Sequence, residues 1–228
     1  MSFRFRAAVP LSACVLALGA CGVVTSPSQV APQDYIEEPA ISSAAVTAFG
    51  QERVEEAHEE LTAFALERAF PEEFLDPQKD TYTHEELAAG VQNYLTKDMA
   101  DAWSALVVSA LAGDTAAQES LRVLQFYHLD DPTSALPPDH SPPSNQQIMD
   151  SRIDIERTAT GPGVQLVITW KHIATLELVD VAAGAEERYA LDVTKTMKFW
   201  LTPSTTSSGP RWLITQYDGS YTVDVPEA

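Results

Sequence analysis

Residues 164 to 179 read VQLVITWKHIATLELV, and residues 188 to 201 read RYALDVTKTMKFWL. Both stretches alternate with a period of two, the pattern of a strand that turns one face to a core. In the first, the even positions Leu166, Ile168, Trp170, His172, Ala174, Leu176 and Leu178 form one stripe. In the second, the odd positions Tyr189, Leu191, Val193, Lys195, Met197, Phe199 and Leu201 form another. Each stripe is apolar except at its fourth place, which is His172 in one and Lys195 in the other. Ala182-Ala183-Gly184 supplies a turn between them. If the hairpin pairs Leu178 with Tyr189, Trp170 meets Met197 and His172 falls opposite Lys195. A slip of one residue would put an apolar stripe on the wrong face, whereas a slip of two would keep the faces.

Outward from this hairpin, the same period predicts strands over 148 to 158 and 211 to 225. Gly161-Pro162-Gly163 and the Ser/Thr-rich run to Pro210 form the remaining turns. Upstream the period changes to three and four. Val54, Ala57, Leu61, Phe64 and Ala65 define a helix face that Pro71 ends. Thr83 with Glu86 fits a capping box, followed by Leu87, Val91, Tyr94 and Leu95 at helical spacing. Asp98 is positioned to cap a third helix with the stripe Met99, Ala102, Trp103, Leu106, Val107, Ala110 and Leu111, and Gly113 stops it. A fourth helix is expected from Thr115 to about Phe126. The proline-rich run from Asp130 to Pro143 reads as a long loop. Helices first and antiparallel strands afterwards predict an α+β domain over 46 to 228, with the helices packed on a curved four-stranded antiparallel sheet.

The N-terminus carries a different signal. Arg4 and Arg6 precede an apolar stretch from Ala7 to Ala20 that ends in Leu18-Gly19-Ala20-Cys21. This order resembles the bacterial lipobox. The resemblance implies removal of residues 1 to 20 and diacylglyceryl attachment at Cys21. The apolar stretch, broken by Pro10, falls short of the ~20 residues a spanning helix needs. Two acyl chains suffice for a stable anchor. The expected location is therefore extracytoplasmic, lipid-anchored to the cell membrane. Residues 21 to 45, with Pro27, Pro32 and Pro39 and no Lys or Arg, read as a tether. Largely extended, it would reach roughly 70 Å at about 3.1 Å per residue.

The order of elements is similar to the NTF2-like, or cystatin-like, fold, in which N-terminal helices fill the concavity of a bent antiparallel sheet. Arg211-Trp212-Leu213-Ile214 followed by Asp218-Gly219 resembles the last strand of that superfamily. Tyr94-Leu95-Thr96 before Met99-Ala100 and Trp103 resembles a segment of actinobacterial envelope proteins, among them Mce-associated proteins and conjugation-assembly lipoproteins. The resemblance spans roughly residues 50 to 225. It implies a fold that hosts both enzymes and assembly modules.

Charge narrows the partners. The chain carries -19, and loss of Arg4 and Arg6 with no acid lost makes the expected mature form -21. Nucleic acid and anionic lipid surfaces are disfavoured as partners. Residues 51 to 86 hold twelve acids against Arg53, Arg68 and Lys79, a run that reads first as a solvated helix surface and second as a face for a basic partner. The two cysteines are Cys14 and Cys21, so the expected mature domain has no disulfide and no thiolate metal site.

No catalytic residue is identified. His-Glu-Glu-Leu at 58 to 61 and 84 to 87 lacks the second His of a zinc-protease helix, with Thr62 and Ala88 in its place. A calcium loop from Asp76 would need Gly at Thr81 and Glu at Leu87. His128, Asp130, Asp131, Asp139 and His140 match no metal-site spacing. Neither inward stripe holds a carboxylate, and Asp192 falls on the outward parity. No cofactor motif is present. His172 and Lys195 have two readings. They line a cavity for a small amphipathic anionic ligand with Trp170, Tyr189 and Phe199 as walls, or they are satisfied within the fold, Lys195 by snorkelling and His172 by backbone. The overall reading is a non-enzymatic, membrane-anchored interaction or assembly module of the cell envelope with an envelope protein as partner. The alternative is a carrier or sensor of that ligand.

Overall fold

The computed structural model describes residues 38–71, 81–125, 134–135, 144–158, 163–180, 187–205 and 209–224. The elements are β1 (Ala40–Ile41), α1 (Ser43–Phe49), α2 (Gln51–Arg68), α3 (His84–Gln92), α4 (Lys97–Leu111), α5 (Thr115–Leu124), β2 (Ser134–Ala135), β3 (Ser144–Arg157), β4 (Val164–Asp180), β5 (Glu187–Pro203) and β6 (Trp212–Asp224). This is a mixed α+β fold with an open sheet. No described helix is long and apolar enough to cross a membrane.

The four expected strands form as antiparallel neighbours in the order β3-β4-β5-β6. The sheet is nevertheless larger than four strands. β1 adds a parallel edge through Ala40 with Arg152 and Ile41 with Ile153, and β2 pairs with the end of β4. The folded part therefore starts before residue 46, inside the segment expected to be tether. Ser42 accepts a hydrogen bond from the Ala45 amide, which caps α1 and satisfies one of its orphan donors. Ser42 also donates to Asp154 on β3.

Local chemistry accounts for the helix ends. The Thr83–Glu86 capping box forms at the start of α3, and Asp114 accepts from the amides of Ala116 and Ala117 at the start of α5. Two expectations shift. Thr96 rather than Asp98 occupies the N-cap of α4, leaving Asp98 in the first turn, where its charge faces the positive end of the helix dipole. Helix α3 stops at Gln92, because Tyr94 and Leu95 turn out to join the sheet margin: the Ile214 amide donates to Tyr94 O, and the Thr96 amide donates to Ile214 O. The buried stripe of α4 narrows to Trp103, Val107 and Ala110 with Met99 and Leu106 beside it, while Ala102 and Leu111 face outward. Helix α5 ends at Leu124, two residues short of the expected end.

One face of the sheet is covered. Leu166, Ile168, Trp170, Met197, Phe199 and Leu201 pack with Phe64, Trp103, Val107 and Leu121 from the helices. Trp103 is fully buried and donates its indole N–H to Leu87 O at 3.3 Å. Gly219 permits close approach here, since a Cβ on it would lie 2.5 Å from Met197 Sδ and 2.6 Å from Thr196 O. A second, smaller cluster comprises Ala69, Phe70, Ala174, Leu176 and Val193. It lies beyond the main core, toward the β4–β5 turn.

Edge strand β6, and β3 beyond the two-residue β1, carry guarding carboxylates. Asp154 on β3 accepts from the amide of Ile155, and Asp218 on β6 accepts from the amide of Gly219, both at 2.8 Å. Side chains that engage edge amides leave fewer free donors for another strand to pair with.

Candidate functional site

The hairpin register matches the stripe-derived pairing. Leu178 lies against Tyr189, Trp170 against Met197 and His172 against Lys195. The last two side chains form a polar layer between the main core and the smaller cluster, each only 1% exposed.

Two helix ends close over this layer. Lys195 Nζ donates to Ala69 O at 3.2 Å and to Leu124 O at 3.4 Å. Ala69 is the C-cap of α2 and Leu124 is the last residue of α5, so both carbonyls belong to the set that a helix leaves without an internal partner. The negative ends of two helix dipoles thus converge on one ammonium. Phe70 completes the cover, with Lys195 Nζ 4.7 Å from its ring centroid and the His172 ring edge-on to it at 5.4 Å. His172 Nε2 is buried and has no hydrogen-bond partner among the described residues.

The electrostatics follow from burial. Desolvation brings the Lys195 ammonium down to about 7, despite the carbonyls that favour its charge. His172 falls to about 3, first through burial and then through the neighbouring Lys195 charge. At neutral pH His172 is therefore an uncharged ring, and Lys195 sits close to its midpoint.

The expected cavity walls do not lie together. Trp170 and Phe199 stack edge-on at 5.0 Å inside the main core. Tyr189 is half-buried, six strand positions from Lys195. Phe70 takes up the space over the pair, and the Lys195 donors point at helix carbonyls. The ammonium does not snorkel to water, since Lys195 is buried. A cleft elsewhere, lined by Ala57, Glu60, Leu61, Tyr94, Leu201 and Trp212, holds about 10 Å³, room for about one water.

The His-Glu-Glu-Leu segments, weighed in the sequence only as zinc-protease motifs, supply further polar contacts. His58 Nε2 lies 2.7 Å from Ser151 Oγ, and both residues are buried. Burial brings His58 down to about 4. Ser151 follows an irregularity in β3 where Asp150 adopts φ 30°, an uncommon value for a residue with a side chain. His84 Nε2 makes the same contact with Ser104 Oγ at 2.7 Å. The two His-Glu-Glu-Leu segments thus each use their imidazole to hold a serine. No signal short of the fold could have paired them. Glu60 on α2 accepts from the backbone amides of Arg211 and Trp212 and so ties α2 to the start of β6.

Asp192 lies on the outward face as its parity implies, accepting from Thr175 Oγ1 at 2.7 Å. On the same outer face Glu156 accepts from Lys198 Nζ and from Trp200 Nε1, with Lys198 over the Trp200 ring. Among the described residues no group of three or more His, Cys, Asp and Glu is placed to hold a metal. The loop residues His128, Asp130, Asp131, Asp139 and His140, and Cys21, the expected lipid site, lie outside the described residues. No family model, curated protein or solved structure matches this chain.

Proposed function

We propose that this chain is a lipid-anchored envelope module with an NTF2-like domain that works through protein contacts on its outer surfaces. The observation that carries the reading is the filled inner face of the sheet. Trp103, Phe64, Trp170 and Phe199 occupy it, and the polar places of its two central stripes, His172 and Lys195, are turned to helix ends and a phenyl ring. Surface left for recognition is then the outer sheet face, with Lys171, Thr196 and Trp200, and the acidic face of α2, with Glu52, Glu55 and Glu59. The lipobox-like Leu18-Gly19-Ala20-Cys21 supports the anchor, and the -21 charge of the processed form supports a basic or neutral partner rather than an anionic one.

The anchor and the contact are tested separately. Detergent-phase partitioning of the chain expressed in a bacterial host should be abolished by Cys21→Ser; unchanged partitioning removes the anchor from the reading. A photo-crosslinking residue at Thr196 or at Glu59 in intact cells should give a discrete adduct from one face and none from the other. No adduct from either position overturns the docking role.

A further inference from the structure

We draw no further inference here: the strongest candidate, the cleft between α2 and the start of β6 lined by Glu60, Tyr94 and Trp212, has room for about one water and its carboxylate already holds the amides of Arg211 and Trp212, so nothing in the structure shows what would occupy it.

Discussion

The ammonium of Lys195 donates to the carbonyl of Ala69 across 126 positions of sequence, in a setting where the Lys side chain is wholly buried. Its energetic sign follows from linkage. The folded value of about 7 lies below the unfolded value of 10.5, so the unfolded chain binds more protons between those limits. Stability therefore rises with pH across that window, and the burial penalty is fully present below 7. Lys195→Met removes the penalty together with the hydrogen bonds to Ala69 and Leu124. It is expected to be more stable than the parent at pH 6 by about 1 to 4 kcal/mol, with the advantage gone by pH 10. Urea titrations at both pH values check this, and a less stable Met variant at pH 6 would show that the two carbonyl contacts outweigh desolvation.

His58 and Ser151 make a second buried contact with a separate pH signature. The imidazole titrates at about 4 folded against 6.5 unfolded, so stability is present above 6.5 and is lost as pH falls toward 4. His58→Gln keeps a hydrogen-bonding side chain without the titration. The slope of stability against pH in that range is expected to drop by about one proton, ~1.4 kcal/mol per pH unit at most. Thermal or urea unfolding from pH 4 to 7 measures it. Ser151→Ala, by removing one hydrogen-bond partner of the buried imidazole, should cost about 1 to 3 kcal/mol at pH 7.

Gly219 is required by contact rather than by backbone angle. Its missing Cβ would stand 2.6 Å from the rigid Thr196 carbonyl, so the strand pair must separate to admit one. Gly219→Ala should lose about 1 to 3 kcal/mol in a urea titration. A neutral result would mean that β6 can shift away from β5 at little cost.

Glu60 bonds the amides of Arg211 and Trp212, fixing where β6 begins. Glu60→Ala should destabilise by about 1 to 2 kcal/mol and speed exchange at Trp212 more than at Phe199. Equal acceleration at both positions would argue for a global effect instead of a local pin.

The sequence by itself marked the four long strands, the inward stripes of the central hairpin and the starts of α3 and α5. These rest on periods and caps read within a few residues: the two seven-place stripes exclude a slip of one, and Thr83 with Glu86 is a local hydrogen-bonding pattern. Only the tertiary structure decided what the polar places in the stripes do. The acceptors of Lys195 are backbone carbonyls, which every residue carries, so no side-chain pattern could mark Ala69 and Leu124. The same holds for β1, where Ala40 and Ile41 look like any small apolar pair in a proline-bearing segment until Arg152 and Ile153 present a free edge. Local propensity is written in neighbours along the chain. Contacts between groups a hundred residues apart depend on which surfaces the folded elements leave unsatisfied.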